Sequence, residues 1–166
     1  MTEEQVTKAI MTLLVARGWH IISFDFPQSG TGVRLAPEIC ATGESRGVII
    51  PDIIASRGSV GLVFENKDRV VAAVFRKVAA LRAGAYHASL AEAFGGELPK
   101  TVRYGIGLPA GRCNKLVAGL AEQVDFVMGV TPGGDLVLSH NPHRIELGHP
   151  TASLVVRGTT APPPTD

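Results

Sequence analysis

Two carboxylates and a lysine within residues 51–67 are the side chains of this chain whose types and spacing could do chemistry. Asp52 lies at the start of one apolar segment. Glu65 and Lys67 close the next apolar segment, with Asn66 between them. Mg²⁺ usually binds one or two carboxylates together with water and substrate phosphate. A lysine beside such an ion can stabilise negative charge at a reacting phosphate. The three residues therefore predict a divalent-metal site with a cation beside it.

Two short apolar segments, 48–55 and 60–64, have to position these side chains. Both are rich in Ile and Val and are separated by a glycine-containing break, which predicts a β-hairpin buried on at least one face. Because side chains alternate across a strand, Glu65 and Lys67 share one face. Asp52 is just inside the partner strand and can reach the same end of the hairpin. We therefore expect the carboxylates and the ammonium to converge at one edge of the sheet.

The motif formed by Pro51-Asp52 and Glu65-Asn66-Lys67 resembles that of the PD-(D/E)xK nuclease superfamily. The resemblance implies that Asp52 and Glu65 hold one or two Mg²⁺ ions, for which Mn²⁺ can substitute. It implies that Lys67 positions or activates the attacking water and helps to neutralise charge on the phosphate. Asn66 departs from the family, in which this middle position is more often apolar. The alternative is an ordinary ion pair at a solvated hairpin end.

Hydrophobic periodicity and turn residues predict the element order α-β-β-β-α-α-β-α-β-β. After the hairpin we expect helices from 68 and from 86, a strand at 102–108, a helix at 112–123 and strands at 124–130 and 135–139. This order predicts an α/β (α+β) fold with a central mixed β-sheet flanked by helices. Over about the first 110 residues it resembles the restriction-endonuclease-like α-β-β-β-α-β core.

A helix is also predicted near the N-terminus, where Thr2 is the capping residue and Glu3 and Glu4 fill the first turn. Either glutamate could lean toward the metal site, as an N-terminal helix acid does in part of the superfamily. Favourable interaction with the helix dipole is the simpler explanation for both glutamates. Asp25, in the strand that follows, is expected to be a surface acid rather than a third ligand.

The composition sets bounds on the class of protein. The chain has 166 residues and is 45% hydrophobic, so we expect a single nuclease domain over 1–156 and a disordered C-terminal tail over 157–166. A membrane-spanning segment and a signal peptide are both lacking in the sequence, which predicts a cytoplasmic protein. Cys40 and Cys113 form no Cys-x-x-Cys pair and are expected to be free thiols.

Positive charge is concentrated in the middle of a chain whose net charge is only +1. Residues 69–115 contain eight basic residues and two acidic ones, a distribution compatible with a face that meets phosphates. Arg69, Arg76 and Lys77 are therefore predicted to contact the phosphate backbone. Arg34 and Arg46 lie in a glycine-rich segment, 27–47, which is interpreted either as a DNA-contact loop or as a partly disordered insertion.

A polar cluster near the C-terminus contains His140, Asn141, His143 and Arg144. Its spacing does not suit a zinc site, but these side chains can read base edges by hydrogen bonding. The cluster is therefore predicted to be the base-reading segment, with a plain polar turn as the alternative.

Together these features predict a Mg²⁺-dependent endonuclease acting on double-stranded DNA, most like a small type II restriction endonuclease. Such an enzyme is expected to be a homodimer, since two-fold symmetry matches a palindrome, and to have a cognate methyltransferase as its functional partner. The alternatives are a structure-specific or repair nuclease, such as a junction resolvase or mismatch endonuclease, a non-catalytic DNA-binding module on the same fold, and an RNA-directed nuclease or toxin.

Overall fold

The computed structural model describes residues 1–26, 29–38, 47–114, 116 and 118–148. The predictions made for Arg46, Cys40 and the tail 157–166 lie outside the described residues. The helices are α1 (Glu3–Val15), α2 (Ala72–Arg82), α3 (His87–Ala93), α4 (Ala110–Cys113) and α5 (Ala118–Ala121). The strands are β1 (His20–Phe24), β2 (Ile53–Arg57), β3 (Val60–Asn66), β4 (Thr101–Pro109), β5 (Phe126–Val130) and β6 (Leu136–His140).

The six strands form one mixed sheet in the order β1-β2-β3-β4-β5-β6. The first three are antiparallel neighbours, β3, β4 and β5 run parallel, and β6 returns antiparallel to β5. Parallel neighbours need a crossover, which α2 and α3 supply between β3 and β4. The predicted α/β (α+β) class, a central mixed sheet flanked by helices, is confirmed.

Helices cover both faces of the sheet, so the central strands are buried on both sides. On one face α1 packs through Val6, Ile10 and Leu14 against a core that includes Leu62 and Phe64 of β3. On the other face, the helical residues Phe75, Val78, Leu81 and Leu90 pack in two clusters that include Val63 of β3 and Ile106 of β4. Burial on both faces explains why β3 is apolar almost without interruption.

The β2–β3 hairpin is the element that the apolar segments predict. Its register runs from Ile53 opposite Phe64 to Arg57 opposite Val60, which leaves a two-residue turn. Gly58 occupies this turn with φ 57°, a left-handed conformation that glycine adopts without steric cost. The tight turn fixes the register, and with it the pairing of every residue up to the other end of the hairpin.

Two local features of the structure differ from the regular elements that the sequence predicts. The helix expected at 112–123 is instead two single turns, α4 and α5, and α4 ends at Asn114, a residue of low helix propensity. In β1 a bulge between Ile21 and Ser23 interrupts the regular alternation of the strand, and Phe24 is exposed. Cys113 is a buried free thiol, as predicted. None of the described helices has the length and apolar character needed to cross a membrane.

Candidate active site

The two acids of the motif lie at the open end of the β2–β3 hairpin. Ile53 pairs with Phe64, so the next residues outward, Asp52 and Glu65, come to face each other across the two strands. The sequence predicts that these groups converge at one end of the hairpin, and the structure places them there. β2 and β3 are interior strands, so the acids lie at strand ends near the middle of the sheet. We call this the site end of the sheet.

Asp52 is almost inaccessible, with 8% of its surface exposed. Its Oδ2 accepts a hydrogen bond of 2.5 Å from the backbone N–H of Asn66, which holds the carboxylate against β3. Burial is the main reason why the pKa of Asp52 is raised from 3.8 to about 7, and the charge of Glu65 adds to it. The carboxylate therefore lies in a place where its own negative charge is unfavourable.

Glu65 is buried still more deeply, and its counter-charge comes from helix α2. The Nζ atom of Lys77 lies 2.7 Å from Oε1 of Glu65 and donates a hydrogen bond of 3.1 Å to the carbonyl oxygen of Ile50. The contact between Lys77 and Glu65 is a short ion pair. Burial raises the pKa of Glu65, and Lys77 opposes this increase.

Lys67 follows the last residue of β3 and bridges it to helix α1. Its Nζ donates to Oε1 of Glu3 at 2.5 Å and lies 3.9 Å from Oδ2 of Asp52. Burial alone lowers the pKa of Lys67, but the hydrogen bond to Glu3 and the charge of Asp52 outweigh it and raise the pKa. The amine is thus held as an ammonium, which suits stabilisation of negative charge and does not suit a role as general base.

Polar contacts below these groups fix α1 to the site. The Asn66 side-chain amide donates to Oγ1 of Thr7 at 3.0 Å, and the Thr7 hydroxyl donates to the carbonyl oxygen of Glu3. Space for the amide exists because position 107 is glycine: a Cβ there would lie 2.1 Å from Oδ1 of Asn66. Asn66 therefore links β3 to the N-terminal part of α1, which carries Glu3.

The structure brings Asp52, Glu65 and Lys67 together, as the sequence predicts, and adds two residues. Glu3 joins through Lys67, and Lys77 joins through Glu65. The sequence does not distinguish Glu3 from Glu4 as an acid that could reach the site. For Lys77 it predicts a contact with DNA phosphates. An acid in the first turn of a helix and a lysine on a helix face carry no signal of which strand end they will meet.

The carboxylates of the other acids considered for the site are engaged in other contacts. Glu4 forms an exposed ion pair with Lys8 one turn along α1. Asp25 is next to Asp52 through its backbone, whose N–H donates to the carbonyl oxygen of Asp52 at 3.0 Å. Its Oδ1, however, accepts from the hydroxyl of Ser29 and the backbone N–H of Gly32.

The residues predicted to contact phosphates are dispersed. Arg69 and Arg76 are exposed, in the segment after β3 and on α2. Arg34 lines a shallow cavity together with Ser89 and Glu92 of α3. Their role on DNA stays a prediction, as does that of Lys77, whose ammonium is engaged by Glu65.

The cluster predicted to read bases does not gather at the site end. Because β6 runs antiparallel to β5, the chain after His140 turns back toward the start of β5. His143 there lies 3.3 Å from the buried carboxylate of Asp125, and Arg144 lies beside Val60 at the start of β3. Since β3 is seven residues long, this places Arg144 about 20 Å along the strands from the site end.

Within that turn, Asn141 has a structural role. Its Oδ1 accepts from the backbone N–H of Ile145 at 2.7 Å, and its Nδ2 donates to the carbonyl oxygen of the same residue. Both polar atoms of the side chain are therefore used within the turn, which leaves little for base recognition.

The residues present fit a divalent ion that keeps much of its water. Within the described ranges, no group of three or more His, Cys, Asp or Glu side chains is close enough to enclose a metal ion. Asp52 and Glu65 supply two facing carboxylates, and Mg²⁺ typically takes one or two and completes its shell with water and phosphate. A divalent ion between them would also relieve their repulsion and the cost of their burial. Asp52 and Glu65 are the residues that would hold it.

Comparison with known proteins leaves the chain without an assigned relative, because no family model, curated protein or solved structure matches it. Functional inference therefore depends on the site itself.

Proposed function

We propose that this protein is a Mg²⁺-dependent endonuclease that hydrolyses phosphodiester bonds of double-stranded DNA. The observation that carries the proposal is the pair of buried acids, Asp52 and Glu65, facing each other on neighbouring strands with the Lys67 ammonium 3.9 Å from Asp52. An ordinary exposed ion pair would not need two carboxylates in a place that raises the pKa of each. This argues for a site that is used with a cation bound.

Each residue has a defined part in this proposal. Asp52 and Glu65 hold the Mg²⁺ ion, which when bound supplies Lewis acidity and a more acidic water. Lys67 stays protonated and stabilises the charge that develops on the attacked phosphate. Glu3 positions the Lys67 amine through the hydrogen bond between them. Mn²⁺ is expected to replace Mg²⁺, whereas Ca²⁺ is expected to support binding without efficient cleavage.

The finer proposal is a type II restriction endonuclease that acts as a homodimer and is paired with a methyltransferase of the same specificity. Structure-specific cleavage in repair or recombination is the competing role, since the same acids and lysine would serve either.

The deciding experiment is digestion of supercoiled plasmid and of a four-way junction by the full chain, with Mg²⁺, with Ca²⁺ and with EDTA. Discrete linear fragments that require Mg²⁺ support the restriction enzyme. Selective cutting of the junction supports the repair role, and a smear indicates an endonuclease without sequence preference. Full cleavage in excess EDTA, or no cleavage of any DNA, contradicts the proposed chemistry.

A further inference from the structure

A second group of cations lies at the opposite end of the sheet, where β3 and β4 begin. It surrounds a cavity of about 300 Å³ between these strands and the segment 143–146, which we call the basic cavity. Val60 and Ile145 give it apolar surface, and Thr101 contributes a hydroxyl. Three arginines line it: Arg57, Arg103 and Arg144. Its volume is at the lower end of the range for small-ligand sites.

The charges of the basic cavity are not balanced. Among the described residues that line it, Glu146 is the only acid, against three arginines, while His143 lies 3.3 Å from the carboxylate of Asp125. The guanidinium of Arg57 donates hydrogen bonds to the carbonyl oxygens of Glu146 and Leu147. The side chains of Arg103 and Arg144 form no hydrogen bond or ion pair with any described residue. This is the reverse of the site end, where each lysine is paired with a carboxylate.

Arg103 is placed in the basic cavity by the alternation of β4. Its neighbours Val102 and Tyr104 pack into the core on the α2 and α3 side. Arg103 therefore projects from the other face, and its partner in the register is Leu62 of the core below α1. A half-buried guanidinium without a counter-charge, beside apolar surface, favours an anion that can fill the cavity.

Arg144 is placed there by a strained turn. It is the one non-glycine residue among those described that has a positive φ, 50°. Asn141 fixes this turn through its two hydrogen bonds to Ile145. A left-handed φ is less favourable for arginine than for glycine, so the turn holds the Arg144 side chain at a cost in backbone conformational energy.

From these observations we infer that the basic cavity is a binding site for a phosphate monoester, separate from the Asp52–Glu65 site. Two planar guanidinium groups that have no partner among the described residues match the oxygens of a phosphate dianion, and the apolar surface can cover an attached organic group. Both a free nucleoside monophosphate and the terminal 5′-phosphate of a nucleic acid carry this chemistry. The inference does not rest on the proposed nuclease activity.

The test is calorimetric titration of the full chain in excess EDTA at constant ionic strength. The probes are inorganic phosphate, deoxyadenosine 5′-monophosphate, and a short single-stranded oligonucleotide with and without a 5′-phosphate. Saturable binding of the small phosphates assigns the site to free monoesters. Binding of the 5′-phosphorylated oligonucleotide alone assigns it to nucleic-acid ends. Equal binding of both oligonucleotides, or no binding of any probe, overturns the inference.

Two substitutions connect binding to the cavity. Arg103→Met and Arg144→Gly should each weaken binding about tenfold or more, since each removes a charge-assisted contact. Arg144→Gly relieves the strained φ, so the variant should fold at least as well as the wild type. Arg112→Met, at an exposed arginine outside the cavity, is the matched control, and Asp52→Asn should bind phosphate normally even if it abolishes cleavage. Unchanged affinity in both cavity variants, or an equal loss in the control, overturns the assignment.

Discussion

The two ends of the central sheet differ in how their charged side chains are paired. At the site end, the buried carboxylates of Asp52 and Glu65 lie beside the ammonium groups of Lys67 and Lys77, and in these two pairs the acid is the more deeply buried partner. At the other end, Arg103 and Arg144 line a cavity, and no carboxylate in the described part of the chain pairs with either of them. The first arrangement suits exchange of an internal cation for a metal ion, and the second suits capture of an anion.

The comparison also separates two kinds of polar cluster that look alike in sequence. The acids and lysine of the hairpin are held by strand register, so their mutual positions follow from the pairing of β2 with β3. The polar residues after β6 are held by a turn whose direction is set by the antiparallel return of the chain. A high density of polar side chains in the sequence is thus a weaker indicator of a shared site than the register of the paired strands that carry them.

The largest effect is expected from Lys67→Met. Loss of one preorganised charge at a reacting phosphate should reduce the rate of DNA cleavage by about two to three orders of magnitude. Duplex binding in Ca²⁺ should change little, because one contact among many phosphates contributes a small part of the affinity. Lys8→Met, which removes an exposed lysine paired with Glu4, is the control. Normal specific activity in Lys67→Met would leave the residue with a structural role only.

A change in pH dependence of stability is expected for Asp52→Asn. The folded protein keeps a proton on Asp52 up to a pKa of about 7, whereas the unfolded chain loses it near 3.8, so the stability of the metal-free protein falls as pH rises through this window. The shift corresponds to at most on the order of 4 kcal/mol. Asparagine keeps an acceptor for the Asn66 N–H but carries no charge. The stability of the variant should therefore fall much less as pH rises.

Urea unfolding in EDTA at pH 5 and pH 8 measures the difference, with Glu4→Gln as the control at an exposed acid. Addition of Mg²⁺ at pH 8 should stabilise the wild type more than Asp52→Asn. An identical pH slope in the wild type and in Asp52→Asn contradicts the role assigned to burial.

A smaller effect on stability is expected from Lys77→Met. The variant leaves Glu65 buried without its ammonium, which should lower the free energy of unfolding in EDTA at pH 8 by about 2 kcal/mol, after allowance for the partial exposure of the lysine. Because Lys77 no longer competes for Glu65, Mg²⁺ should restore more stability than in the wild type. Arg76→Met, at the exposed neighbour on α2, is the control. If Mg²⁺ stabilises Lys77→Met no more than the wild type, Lys77 does not compete with the metal for Glu65.

The smallest effect is expected from Asn141→Ala. The sequence predicts a loss of about 1–3 kcal/mol in binding to a cognate duplex, as for a base-reading residue. From its hydrogen bonds to Ile145 we expect instead a loss of about 1 kcal/mol in the free energy of unfolding and an unchanged ratio of cognate to scrambled binding. Titrations of both duplexes in Ca²⁺ distinguish the two, and Arg34→Ala serves as the comparison. A selective loss of cognate binding in Asn141→Ala restores the base-reading assignment.

The order of elements was largely predictable from the sequence, since it depends on local patterns. Thr2 caps α1 as predicted, and the apolar segments with a glycine turn form the β2–β3 hairpin. The helix predicted at 112–123 was wrong because propensity there is weak and the sheet imposes its own spacing on the connection. The bulge in β1 leaves no clear mark in the sequence.

Within the site, the sequence by itself determined the facing of Asp52 and Glu65, because a tight hairpin turn and a period of two residues fix which side chains meet. Only the tertiary structure decided that Glu3 holds Lys67, that Lys77 holds Glu65, and that Arg144 lies about 20 Å away along β3. These pairings join elements distant in sequence, and their geometry depends on how helices pack on the sheet and on the direction in which β6 returns. Local residue patterns do not encode such long-range placement.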